Sequence, residues 1–135
     1  MTSDTLIWFA VIIAVIGAAF FFRNDSDAGK DTVSGRVRHI VDGDSLYIEG
    51  HKPQIRLWGV DAPEKDENGY NAAKSYLTRI AKGKRITCEI MDTDRYGRTV
   101  GRCTRKDGKQ INRMMIESGR AQEYCRYSKG YYGHC

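Results

Sequence analysis

A small Greek-key barrel, mainly β with two or so packed helices, is the fold class this sequence predicts, and three observations predict it. Five short runs, VSGRVRHIV, SLYIE, QIRLWGV, KRITCEI and TVGRCT, are rich in β-branched and aromatic residues and are separated by Gly, Asp and Lys turns. Two other segments carry apolar residues at helical spacing. A chain of 135 residues also has the length of one core rather than two. In chain order, the first two strands flank the Asp42-Gly43-Asp44 turn, and the third run spans residues 54–60. The stretch NAAKSYLTRIAKG then puts Ala73, Tyr76, Leu77 and Ile80 on one helical face, with Gly83 as the C-terminal stop. After the fifth strand, Asp107-Gly108 makes a turn, and INRMMIESG places Ile111, Met114 and Met115 at helical spacing before Gly119. These aromatic and methionine positions are read as core. There is no internal repeat.

The domain expectation is 1–22 as a membrane anchor or signal segment, 23–32 as a polar linker and 33–135 as the barrel. Residues 6–22, LIWFAVIIAVIGAAFFF, are 17 consecutive apolar or small residues without a charge, at the short end of what spans a bilayer. The N-terminal flank holds Asp4 and no Lys or Arg, so an uncleaved anchor fits better than a signal peptide. Arg23 on the far side argues by the positive-inside tendency for a cytoplasmic domain. Against that one charge stand Cys88, Cys103, Cys125 and Cys135, an even set that points to an oxidising compartment, periplasmic or extracellular. If the strands holding Cys88 and Cys103 are antiparallel neighbours, facing positions come close enough for a bridge. The pairing expected is Cys88–Cys103 and Cys125–Cys135. Buried free thiols are the alternative for the first pair, while a zinc site with His134 lacks any C-x-x-C pair.

Once Asp4, Arg23, Asp25, Asp27 and Lys30 are set aside, residues 31–135 carry 20 Lys and Arg against 14 Asp and Glu. That excess suits a polyanionic ligand, although it also serves solubility.

The segment 41–64, VDGDSLYIEGHKPQIRLWGVDAPE, is unusually acidic for a strand pair. Asp42-Gly43-Asp44 alone is more often a hairpin turn, and Asp61 and Glu64 around Pro63 alone a solvated turn or helix cap. Arg56 alone would snorkel to solvent, and Arg98 alone would ion-pair at its turn. Together they fit another purpose. A hard divalent cation such as calcium takes six to eight oxygen ligands, and Asp44, Asp61 and a nearby backbone carbonyl can supply part of that shell. Glu64 is then the candidate base for activating a water, and Arg56 and Arg98 can clamp one phosphate bidentately.

The DGDS turn, the RLWGVDAPE run and DRYGR followed by a strand together resemble the staphylococcal nuclease (thermonuclease) family, over roughly residues 33–127. The order and spacing of three separate motifs agree, which makes the likeness far more specific than a lone DGD. The resemblance implies an OB-fold barrel and a calcium-dependent phosphodiesterase that cuts DNA and RNA with little sequence preference, leaving 3′-phosphate ends. Asp44 and Asp61 look like direct metal ligands, the Ala62 carbonyl like a third, and Asp42 like an outer carboxylate acting through water. Glu64 resembles the residue that orients or deprotonates the attacking water. Arg56 and Arg98 look like the pair on the scissile phosphate, and Arg95 and Tyr96 like the holders of a neighbouring terminal phosphate. Tyr124 and Tyr127 are candidates for stacking on a base. Ser45 stands where the family usually has threonine, and Ala62 where the staphylococcal enzyme itself has threonine; a carbonyl ligand does not depend on its side chain. The loop after Glu64, KDENGYN, is shorter than in that enzyme, and the chain stops soon after Tyr127, before the last helix.

Two readings follow. One is an anchored or exported calcium-dependent nuclease, monomeric, with DNA and RNA as substrates and contact to the membrane through residues 6–22. The other is a non-catalytic OB module that binds single-stranded nucleic acid by backbone electrostatics and stacking. Glu64 together with Arg56 and Arg98 separates them, because a pure binding module has little need of that trio.

Overall fold

The computed structural model describes residues 29–135. The expected anchor at 6–22 lies outside the described residues; among those described, no helix is long and apolar enough to cross a membrane. In chain order the elements are β1 (Thr32–Asp42), β2 (Ser45–Ile48), β3 (Ile55–Leu57), β4 (Val60–Asp61), α1 (Tyr70–Ala81), β5 (Arg85–Thr93), β6 (Thr99–Arg105), α2 (Ile111–Glu117), β7 (Gln122–Glu123) and α3 (Cys125–Ser128). Five strands close a barrel in the order β1-β2-β3-β6-β5, and β4 and β7 form a separate two-stranded ladder. This is the five-stranded, mainly β barrel that the sequence predicts.

β1 is long because it serves two partners. Thr32–Arg36 pairs with β5, and the stretch from Val37 to Asp42 pairs with β2. Irregularities between Val37 and His39 and between Ile40 and Asp42 bend the strand from one partner to the other. The parallel β3–β6 pair completes the closure. Alternation along the strands sends Val37, Leu46, Ile48, Ile55, Leu57 and Ile86 inward, each at most 1% exposed. α1 adds Ala73, Leu77 and Ile80 to the same core, and α2 adds Ile111 and Met115. Tyr76 and Met114 pack against it while only partly buried.

The run QIRLWGV reads as one strand, and the structure divides it. β3 ends at Leu57, Trp58 donates its N–H to the Gly101 carbonyl at 2.9 Å, and Gly59 turns with φ +70°. A Cβ on Gly59 would also lie 3.1 Å from Ser128 Cβ and 3.2 Å from Tyr132 Cε2, so both backbone and space call for glycine. β4 then leaves the barrel to pair with β7. The corner is held by Asn112, which is fully buried. Its amide donates to the Trp58 carbonyl at 2.9 Å and the Gly101 carbonyl at 3.0 Å, and its oxygen accepts the Cys103 N–H at 2.9 Å. One side chain thereby bonds three peptide groups, the Gly101 carbonyl among them already accepting the Trp58 N–H, and ties the corner to α2.

Both expected disulfides are present. Cys88 and Cys103 are register partners across β5 and β6, with Cα atoms 4.0 Å apart, and Cys125 is joined to Cys135. The buried-thiol alternative and the zinc alternative both fall, because all four sulfurs are bonded in pairs. Tyr131 and Tyr132, inside the loop that the second bridge closes, pack on Trp58 with ring centroids 5.4 and 5.9 Å from it.

Glu123 fastens this C-terminal loop. Its carboxylate accepts from Ser128 Oγ at 2.6 Å, the Tyr132 N–H at 2.8 Å and the His134 N–H at 2.7 Å. Burial pushes the carboxyl up, but these bonds outweigh it and hold it below its ordinary 4.5. A carboxyl depressed in the folded state contributes stability that is complete above its unfolded value and is lost as pH falls through the folded one. The melting temperature is therefore expected to drop on acidification below 4.5, and Glu123→Gln to flatten that drop, as calorimetry across acidic buffers would register. An unchanged acid slope in the variant would assign the sensitivity to other carboxylates.

Candidate functional site

The barrel's register brings one row of residues together on its outer face. Asp42 pairs with Ser45, Ser45 with Arg56, and Arg56 with Val100. Paired residues share a face, so β1, β2, β3 and β6 contribute neighbours to a single strip. Arg98 immediately precedes β6, whose first residue Thr99 pairs with Ile55, the neighbour of Arg56. Two arginines distant in sequence thus come to the same end of the barrel, Arg56 on β3 and Arg98 in the turn that leads into β6.

Asp44 is the buried centre of the strip, 6% exposed. Its Oδ1 accepts from Ser45 Oγ at 3.2 Å and its Oδ2 from the Ala62 N–H at 3.1 Å. Arg56 Nη1 stands 3.4 Å from the same Oδ2 and donates to the Leu57 carbonyl at 3.0 Å. Asp42 turns its carboxylate back onto the Asp44 N–H at 3.1 Å. Gly43 makes this packing feasible: a Cβ there would come 2.8 Å from Ala62 Cβ and 2.7 Å from Ala73 Cβ. Only a bare backbone lets the acidic turn nest under both the Asp61-Ala62 loop and α1.

Burial pushes the Asp44 carboxyl up to about 7, with Asp42 adding to the effect and Arg56 opposing it. One guanidinium does not offset the charge of the carboxylates gathered here. Hydrogen bonds bring Asp42 and Asp44 together and tie Asp44 to the Ala62 N–H, and their carboxylate oxygens are hard donors of the kind a hard divalent cation takes. Among the described residues, no hydrogen bond or ion pair joins the Asp61 or Glu64 side chain to them. The group of ligand atoms lying within 4.8 Å of one another among those residues is Glu123 with Cys125 and Cys135, and the two sulfurs are bonded to each other. Asp61 and Glu64 are both exposed. Glu64 is fixed through its backbone, whose N–H donates to Glu67 Oε1 at 3.0 Å while its carbonyl accepts the Glu67 N–H at 2.8 Å.

The β5–β6 hairpin supplies the second cationic group. Arg95 Nη2 donates to Tyr96 Oη at 2.7 Å, and the Arg95 and Arg98 guanidiniums lie 4.9 and 5.5 Å from the Tyr96 ring centroid. The sequence reading overlooked Asp94. Its Oδ1 accepts the N–H groups of Tyr96 at 2.9 Å and Arg98 at 3.0 Å, and its Oδ2 accepts Arg98 Nε at 2.6 Å. Burial raises the Asp94 carboxyl, but the bonds from Arg98 and Tyr96 prevail and lower it. An Asp opening a D-x-x-G turn is the signal that points to such a residue.

Tyr124 and Tyr127 contact each other edge to face, centroids 4.7 Å apart, and Tyr124 donates its N–H to the Gly59 carbonyl at 2.8 Å. The β4–β7 ladder, with Asp61 opposite Gln122, ties their segment to the loop carrying Asp61. Among the described residues, no hydrogen bond or ion pair joins either tyrosine to Asp44 or Arg56.

Comparison with known proteins gives the same family. The family model described as Staphylococcal nuclease homologue matches residues 54–134. Succinoglycan biosynthesis protein ExoI of Rhizobium meliloti (strain 1021) is 37% identical over 131 residues, covering 89% of this chain and 66% of that protein. An uncharacterized endonuclease of Escherichia coli O157:H7 is 32% identical over 98 residues, covering 71% of this chain and 64% of its own length. The micrococcal nuclease of Shigella flexneri is 30% identical over 105 residues, covering 70% of this chain and 60% of its own. This chain spans at most 66% of the length of these relatives. The family match begins after β1, β2 and the Asp42–Asp44 turn and takes in β3, β5, β6 and the loop that carries Asp61 and Glu64; it spans more than half of the chain, which belongs to the staphylococcal nuclease family.

Proposed function

We propose that the protein is a calcium-dependent endonuclease that hydrolyses DNA and RNA with low sequence specificity, as a monomer, and leaves 3′-phosphate ends. The observation that carries this reading is the buried Asp44 carboxylate, bonded to Ala62 N–H and faced by Arg56, with Asp42 beside it. Family membership and the endonuclease names of similar proteins support it. In this reading Asp44, Asp61 and the Ala62 carbonyl would hold the calcium, with Asp42 as an outer carboxylate, and the ion would supply positive charge against the phosphoryl oxygens.

The chain's own residues do the rest. The Glu64 carboxylate takes a proton from the attacking water as its oxygen bonds to phosphorus. The bond from phosphorus to the 5′ oxygen breaks, leaving phosphate on the 3′ side. Arg56 and Arg98 bind the non-bridging oxygens and offset the charge that develops on them, and Arg98 also assists the leaving oxygen. Arg95 and Tyr96 hold a neighbouring phosphate, and Tyr124 and Tyr127 offer rings to a base. The domain acts in the periplasm or outside the cell, exported or anchored through residues 6–22. Its two disulfides support that location, and free thiols in protein taken from its own host would contradict it.

The test follows degradation of single-stranded DNA, duplex DNA and RNA by the full-length protein with calcium, with magnesium and with a chelator. Calcium-dependent cleavage that yields 3′-phosphate ends is expected. Salt-sensitive binding with no cleavage under any metal would instead support the non-catalytic single-strand-binding module.

A further inference from the structure

At the other end of the barrel from the acidic turn, five basic side chains gather where β1, β5 and β6 meet. Arg36 and Arg85 are direct partners in the β1–β5 ladder, and like charges placed opposite each other destabilise a ladder. Lys84 precedes Arg85. Across the next ladder Arg105 pairs with Ile86, and Lys106 follows it. These residues line two adjoining cavities of about 410 and 290 Å³ that share Arg85, Arg105 and Lys106. Asp107 is the one carboxylate in either lining, and Arg105 already engages it. Among the described residues, Arg36, Lys84, Arg85 and Lys106 have no ion-pair partner. Arg36 is nevertheless positioned, its Nη1 donating to the Gly83 carbonyl at 2.6 Å.

The chemistry of this surface selects its ligand. Its lining holds no aliphatic or aromatic side chain, only Arg, Lys, Thr, Gly and the engaged Asp107. Such a lining has little to offer an apolar molecule and much to offer several phosphates at once. Arg36 and Asp42 are six positions apart on β1, at most about 20 Å at roughly 3.3 Å per residue, because β1 bends between them. At about 3.4 Å of axial rise per nucleotide, that distance corresponds to up to roughly six nucleotides of a stacked strand.

We propose that this face is a second binding surface for the phosphate backbone of nucleic acid, gripping a strand several nucleotides from the bond being cut. The ligand class rests on the nuclease reading above. Strands long enough to span both ends of the barrel gain affinity from it, and shorter ones do not.

The test compares full-length protein with Arg85→Ala/Lys106→Ala on a trinucleotide and on a single strand of about 30 nucleotides, at several salt concentrations. The trinucleotide should be cleaved with unchanged kcat/KM, which also reports an intact fold and active site. On the long strand KM should rise about tenfold, and the logarithmic salt dependence should become shallower by about 1.4, roughly 0.7 for each phosphate no longer neutralised. The charge-conserving Arg85→Lys/Lys106→Arg should restore both. Unchanged KM and salt slope on the long strand would overturn the proposal. So would a loss that the conservative variant does not rescue, or a loss confined to binding of vesicles rich in anionic phospholipid. If the unaltered protein cuts neither substrate, the nuclease reading fails by itself. Equilibrium binding of the long strand in chelator then decides about this surface by the same comparison of variants.

Discussion

Glu64→Gln is expected to lower kcat by about 10²- to 10⁴-fold, the range that a positioned general base contributes, with little change in the affinity for calcium or substrate. The substitution preserves shape and the backbone hydrogen bonds of the Glu64–Glu67 turn, which involve main-chain N–H and carbonyl groups at residue 64. It removes only a carboxylate able to accept the water's proton. Glu64 is exposed and is not hydrogen-bonded to Asp44, so its loss should not disturb the buried acidic turn. The check is kcat and KM on single-stranded DNA alongside calorimetric titration with calcium. An interaction made only in the transition state lowers kcat and kcat/KM equally. A loss in kcat below about tenfold would assign the base elsewhere, because removing a general base costs far more.

Arg98→Lys is expected to cost about 10²-fold or more in kcat/KM although it conserves charge. The reason lies in how Arg98 is held. Asp94 takes its Nε at 2.6 Å, so the guanidinium is oriented through one nitrogen while its two terminal amino groups remain for a phosphate. A lysine has a single ammonium, which cannot pair with Asp94 and fork onto two phosphate oxygens together. Asp94→Asn should show a smaller loss in the same direction, because the amide oxygen still accepts from the backbone N–H groups of Tyr96 and Arg98 while its hold on Nε weakens. Steady-state kinetics of both variants test this, and activity of Arg98→Lys equal to that of the native residue would refute the clamp.

Much of the barrel was legible because strand and helix periods are local properties. The alternation that buries Leu46, Ile48, Ile55 and Leu57 is written directly in the chain, as is the helical spacing of Ala73, Leu77 and Ile80. The division of QIRLWGV was not legible, because an apolar run does not say where it changes partner. That point is fixed by Asn112, 54 positions beyond Trp58, reaching the Trp58 carbonyl. Asp94 and Glu123 were missed for a related reason: each looks like an ordinary acid until the three donors that converge on it are seen.

By itself the sequence determined the identities of the acids and arginines and the strand count of the barrel. Those follow from residue type and spacing. The pairing of the cysteines it only suggested; the tertiary structure decided it, for Cys88 and Cys103 through the β5–β6 register. Only the tertiary structure decided that Asp44 is buried against Ala62 with its carboxyl pushed up to about 7. It alone also decided that the parallel β3–β6 pair brings Arg56 close to the start of β6, which Arg98 precedes, and that a basic cluster occupies the far end. Burial, register and charge clustering arise from strands far apart in sequence meeting in space, and the order of residues along one strand does not contain them.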